Sequence, residues 1–178
     1  MSAMSAMSLY LYELVPAIDA SKAIDELARR FGEAGGELIE AQVTGDAGRI
    51  FAIAEFAGCS APEIPSDGAL GEVDGPHQVR LVGAELDQLK AARPAAGYLV
   101  EWDIPDGIDM ETYLARKKAN SPKYADVPEV DFLRTYVRED MDKCLCFYNA
   151  PDEAAVRRAR QAVSTPVDRL HQLAETQS

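Results

Sequence analysis

The chain has 178 residues, 47% apolar and 27% charged, the composition of a folded globular protein with room for one domain or two small ones. Its formal net charge of −12 argues against nucleic acid and anionic membrane surfaces as partners. The charge is uneven: residues 1–92 carry 15 acids and 6 bases, whereas residues 93–178 carry 15 acids and 12 bases, including the run Arg116, Lys117, Lys118 and Lys123.

The opening MSAMSAMS has no basic region and no long apolar core, so residues 1–8 read as a disordered tail rather than a signal peptide or membrane anchor. A strand follows over 8–15, with Glu13 set in an apolar run. From Asp19, a plausible N-cap, Ile24, Leu27, Ala28 and Phe31 recur at the spacing of a helix that packs one face, and Gly35-Gly36 ends it. Residues 37–44 and 49–56 make a β-hairpin about GDAG. The stretch 57–76 carries three prolines and no helical stripe. It reads either as a lid over a pocket or as a degenerate helix that covers the sheet. A strand at 78–82 and a short helix at 84–92 complete a first unit, 9–92, and RPAAG (93–97) is a linker.

The second unit, 98–178, repeats the order. Strand 97–104 carries Glu101, a helix runs from Asp109 to about Asn120, and strands 130–138 and 143–149 flank EDMD. A helix capped by Asp152 then turns Ala155, Val156, Ala159 and Val163 inward, and VDRLHQL closes as a strand. The hairpins superimpose without gaps, residues 43–56 on 137–150, with Asp46 on Asp140 and Arg49 on Lys143. Glu13 falls on Glu101. The pattern is a tandem duplication of a βαββαβ, ferredoxin-like α+β unit.

The basic run 116–123 reads as a solvated helix face or as an anion or partner site. Three cysteines, Cys59, Cys144 and Cys146, form no disulfide framework, which points to a reducing cytoplasm. The chain has no GxGxxG, phosphate loop, GxSxG or CxxC, so nucleotide-dependent chemistry, serine hydrolysis and structural zinc are disfavoured.

YLVEWDIP, FLRTYVRED, CLCFYNAPDEAAVRRA and VDRLHQL, spread over 97–175, resemble the nickel-responsive or nickel-binding-protein-like family of small ferredoxin-like bacterial proteins of unassigned function. The resemblance implies pairing of two ferredoxin-like units, sheet against sheet, into an α+β barrel. Here that means an intrachain pseudo-dimer in a monomer, or a homodimer. It also implies a divalent metal as the candidate cofactor. Such ions favour imidazole and thiolate, and the chain offers only His77 and His171, without HxH or HxxxH spacing.

Strand alternation divides Tyr98, Val100 and Trp102 from Leu99, Glu101 and Asp103. It likewise divides Leu133, Thr135 and Val137 from Phe132, Arg134 and Tyr136, and Ile39, Ala41 and Val43 from Leu38, Glu40 and Gln42. The more polar sets are expected to line a cavity between the sheets, with Glu13, Glu101, Glu40, Gln42, Arg134 and Tyr136 around it. Cys146 and Tyr148 are further ligand candidates, although counting across EDMD turns the cysteines toward the helices.

Two functions follow. One is a binding protein that holds a small organic ligand or a metal in the glutamate-lined cavity. The other is a cofactor-independent isomerase, lyase or monooxygenase. There Glu101 or Glu13, its pKa raised by desolvation, is the general base, and Tyr136 and Arg134 polarise the substrate. The structural alternative pairs Glu101 with Arg134. A blander one leaves the acidic surface to dock another protein.

Overall fold

The structure is a computed structural model that describes residues 7–57, 61–65, 70–92 and 96–174. The described residues form a mixed α+β protein whose strands pair antiparallel with their neighbours. Contacts divide the chain into two compact units, Met1–Arg80 with Ala174–Ser178, and Leu81–Leu173. Among the described residues no helix is long and apolar enough to cross a membrane.

The first unit contains β1 (Met7–Val15), α1 (Ala20–Glu33), β2 (Glu37–Val43), β3 (Ile50–Ala57) and β4 (Glu72–Val82), whose last two residues pass into the second unit. Its strand order is β2-β3-β1-β4, the ferredoxin-like arrangement, because the β1–α1–β2 crossover leaves room for β3 beside β1. The Asp19 carboxylate accepts the Ser21 amide and caps α1. The α1 stripe Ala23, Ile24, Leu27 and Phe31 packs on Tyr12, Leu14, Ala52 and Phe56 of the sheet.

Two features differ from the alternation rule. A bulge between Leu38 and Glu40 in β2 turns Leu38 to the α1 side with Ala41 and Val43, so Ile39 is not one of that set. Second, β4 begins six residues earlier than its apolar composition suggests. Gly71 and Gly75 permit this: they have φ of +81° and +135°, and a Cβ on Gly71 would stand 2.1 Å from the Val15 carbonyl oxygen. The described part of the proline-rich stretch covers the sheet where a second helix is expected. Ile64 and Leu70 are buried in the α1 core, and the Tyr12 hydroxyl donates to the Pro62 carbonyl at 2.6 Å. Residues 1–6 of the expected tail 1–8, Cys59 and most of the linker lie outside the described residues, whereas Met7 and Ser8 begin β1.

The second unit contains α2 (Leu86–Ala92), β5 (Tyr98–Asp103), α3 (Met110–Asn120), a 3-10 turn (Ser121–Asp126), β6 (Asp131–Arg138), β7 (Lys143–Asn149), α4 (Glu153–Ala162) and β8 (Arg169–Gln172). Its strand order, β6-β7-β5-β8, is that of the first unit element for element. The hairpin turns also agree, with Ala47 and Met141 at φ of 59° and 61°. In both turns an aspartate side chain, Asp46 or Asp140, accepts the amide two residues on. A bulge between Phe132 and Arg134 places Phe132 on the helix side with Thr135 and Val137, apart from Arg134 and Tyr136. The Asp152 carboxylate accepts the Ala155 amide at 2.8 Å and starts α4. Asp152→Ala is expected to lower the unfolding free energy by about 1 kcal/mol, measured by urea titration.

Candidate functional site

Each strand of the second unit presents one face to α3 and α4 and one away from them. On the face away from the helices, Glu101 is 2% exposed, at a depth where a lone carboxylate costs several kcal/mol. It is not alone. Lys143 Nζ donates to its Oε1 at 2.6 Å, His171 Nε2 donates to Oε2 at 2.6 Å, and Arg169 Nε lies 3.1 Å from Oε2. Arg169 also grips Asp103 with both terminal nitrogens, at 3.1 and 2.5 Å.

Burial pushes the Glu101 carboxyl up, but the bonds from His171, Lys143 and Arg169 outweigh it and hold the group at about 2. This corrects two expectations. The pKa is depressed rather than raised, so Glu101 is ionised at neutral pH and is a poor proton acceptor. Its partners are Lys143, Arg169 and His171 in place of Arg134. Arg134 instead stacks over Phe147, 4.8 Å from the ring centroid, and Tyr136 sets its edge against the same ring.

The first unit repeats the motif in looser form. Glu13 is 5% exposed, and Arg49, the residue that aligns with Lys143, reaches its Oε1 at 3.3 Å. Glu40 and Gln42 bond each other at 2.9 Å on the sheet face away from α1. His77 lies 2.9 Å from Asp74.

On the helix face of the second unit the chemistry is different. Between β5, β7, α3 and the C-terminal end of α4 lies a cavity of about 40 Å³, room for about two or three waters or one carboxylate-sized group. Arg160 stands in its wall and is 2% exposed. Its guanidinium donates to the Tyr148 hydroxyl at 2.9 Å and to the Pro166 carbonyl at 2.8 Å. Nε has no hydrogen-bond partner among the described residues, and no carboxylate there pairs with the group.

Arg116 and Lys117 of α3 add two more cations, and no carboxylate lines the cavity. Its remaining polar groups are uncharged: the Asn120 amide, the Ser121 and Thr165 hydroxyls that donate to the Lys117 and Val163 carbonyls, Ser164 and the Tyr113 phenol, with Tyr124 bonded to Tyr148 at 2.6 Å. Burial raises the pKa of Tyr148 and pushes Tyr124 up to about 12, so these phenols stay neutral. In a chain of net charge −12 this is a concentrated positive site.

Cys144 and Cys146 point into this helix-side space with their sulfurs 4.0 Å apart, because both lie two apart on the inward face of β7. The candidates therefore separate. Glu101 and His171 meet, as do Glu40 and Gln42, while Cys146 and Tyr148 share the opposite face with Arg160. Arg160 was not among the sequence candidates. Its signal is positional: it lies on the apolar stripe of α4, four residues after Val156 and three before Val163, where a solvated arginine does not belong. Of the basic run, Arg116, Lys118 and Lys123 are exposed, Arg116 at the edge of the cavity, while half-buried Lys117 lines it with its Nζ 4.3 Å from the Phe132 ring centroid.

Residues 98–173 match the family described as "Nickel responsive protein SCO4226-like", on the half whose motifs carry the resemblance. The crystal structure of SCO4226 from Streptomyces coelicolor A3(2) is 17% identical, covers 47% of this chain and 100% of its own, and has a TM-score of 0.40. A putative chlorite dismutase, TA0507, is 12% identical, covers 94% of this chain and 95% of its own, and has a TM-score of 0.56. At that identity the likeness is one of fold alone. A search of the curated proteins finds no significant match.

Proposed function

We propose that this protein, whose residues 98–173 match the SCO4226-like family, binds a small anionic molecule in the helix-side cavity of its second unit. The observation that carries the reading is Arg160. A guanidinium withdrawn from water costs several kcal/mol unless an anion compensates it, and Arg160 faces two neutral oxygens and two further cations. A carboxylate or small oxyanion supplies the missing charge and an acceptor for the planar donor fork.

The glutamates are poorer candidates for ligand chemistry, since the Glu101 carboxylate is already committed to three donors. Nor does the family's description lead to nickel here. His77 and His171 are each engaged by a carboxylate, the two cysteines share their cavity with Arg160 and Lys117, and among the described residues no three His, Cys, Asp or Glu side chains converge. The shared strand order, the matched turns and the paired Glu13–Arg49 and Glu101–Lys143 contacts support reading the two units as diverged copies of one βαββαβ ancestor.

The test is thermal unfolding of the full chain against acetate, sulfate and phosphate at constant ionic strength. At a hundred times Kd, binding adds about 2.7 kcal/mol, a rise of several degrees in midpoint for a chain of this size. Lys117→Ala should weaken the response about tenfold. A midpoint indifferent to every anion up to 50-fold below precipitating concentrations would remove the proposal.

A further inference from the structure

We propose that Cys146 is a nucleophilic thiolate in this cavity, a covalent capture site for small anionic electrophiles such as α,β-unsaturated carboxylates. The inference rests on the anion-site reading and adds a reaction to it. Two kinds of group in the wall can bear a negative charge: the Tyr113 and Tyr124 phenols, and the two thiols. The thiol has the lowest ordinary pKa, about 8.5 against about 10 for tyrosine, so while no anion occupies the cavity sulfur is the first group to ionise beside the guanidinium.

Which sulfur is decided by hydrogen bonding. Thr135 Oγ1 donates to Cys146 Sγ at 3.3 Å. Cys144 Sγ lies 4.0 Å away, and either sulfur can donate to the other. Only Cys146 accepts the Thr135 hydroxyl, with Arg160 on α4 and Lys117 on α3 as charges beside it and no carboxylate among the described residues lining the cavity. The hydrogen bond shared with Cys144, with the charges of Arg160 and Lys117, pulls the Cys146 thiol down against the desolvation of its site. The same hydrogen bond raises Cys144 in turn.

Burial usually makes cysteine inert. Cys146 is 1% exposed, yet it lines the cavity, so reagents reach it by that route and only if they are small. Arg116 and Lys117 leave the cavity positive even when Arg160 is balanced by the thiolate, which selects reagents that carry a negative charge. In the capture step Sγ forms a bond to the β-carbon of the unsaturated acid. The π pair moves onto the α-carbon, which takes a proton from water, and the product is a thioether with nothing oxidised or reduced.

The experiment compares iodoacetate with iodoacetamide on the full chain in a Cys59→Ser background at pH 7, with glutathione as the free-thiol reference. In both reagents the thiolate attacks the methylene carbon and iodide leaves with the bonding pair. Fragment-ion mass spectrometry locates the label. Cys146 should react first, with an iodoacetate-to-iodoacetamide rate ratio at least tenfold above that of glutathione. Lys117→Ala should cut that ratio because it slows iodoacetate more than iodoacetamide, and Cys144→Ser should slow both reagents while keeping the label on Cys146.

An unlabelled Cys146 in the folded protein, or a ratio equal to that of glutathione, overturns the proposal. Anion-dependent thermal shifts measured on the same preparation separate the two readings. A retained shift with an inert Cys146 sinks the thiolate alone, whereas loss of the shift sinks the anion site beneath it.

Discussion

Glu101→Gln is expected to lower the unfolding free energy by about 3–5 kcal/mol, the usual cost of removing one partner from a buried ion pair. Lys143, 8% exposed, would be left with its charge buried and its nearest acceptor neutral. The size is consistent with the titration of the carboxyl. A fall from 4.5 in an unfolded chain to about 2 in the folded one corresponds to about 3 kcal/mol of linked stability.

The direction follows from the depressed value. Above about pH 4.5 both states are ionised and the full contribution is present. Between there and about pH 2 the unfolded chain takes up a proton that the folded one resists, and stability falls. Urea titrations at pH 7, 4 and 3 should therefore show the wild type losing stability steeply while Glu101→Gln changes much less. Parallel curves for the two proteins would mean that Glu101 is not the group that titrates.

Arg160→Met is expected to abolish the anion response, with affinity falling at least a hundredfold, while the midpoint of unfolding stays level or rises. Replacing an incompletely paired buried ion by an apolar side chain of similar length is often neutral, or stabilising by about 1–4 kcal/mol. Arg160 is a strong case because no carboxylate among the described residues pairs with it. Its two bonds, to Tyr148 and Pro166, end on neutral oxygens. A protein that keeps such a residue at its own expense uses it for something other than folding. If Arg160→Met instead unfolds the chain while Arg160→Lys retains stability without an anion response, the guanidinium is a strut between α4, β7 and the segment at Pro166.

Much of the architecture can be read from local chemistry. Asp19, Asp109 and Asp152 each accept an amide at a helix start, as the side-chain types and the apolar stripes behind them predict. The inward face of each hairpin follows from strict alternation wherever no bulge intervenes, which is why Cys144, Cys146 and Tyr148 fall on the helix side. Alternation fails at Ile39 and Leu133, where an extra residue enters the strand and resets the count. A bulge depends on the partner strand's register, which no single strand encodes. The start of β4 was illegible for a related reason: Gly71, Gly75 and Pro76 look like a loop until β1 supplies the partner that makes them a strand.

The site divides in the same way. That Glu13 and Glu101 are buried and equivalent is written in the two apolar strands that hold them, since the same residues recur in the same order. Whether a buried carboxylate is a base or an ion-pair anchor depends on what faces it. Lys143 lies 42 residues from Glu101 in sequence, and His171 lies 70 away. The sequence by itself determined the elements, their order and the facing of most strand residues, because these follow from local backbone geometry and side-chain polarity. That Glu101 meets three donors while Arg160 meets no carboxylate among the described residues is a matter of tertiary structure, because ion pairing is set by distances of a few ångströms between residues remote along the chain.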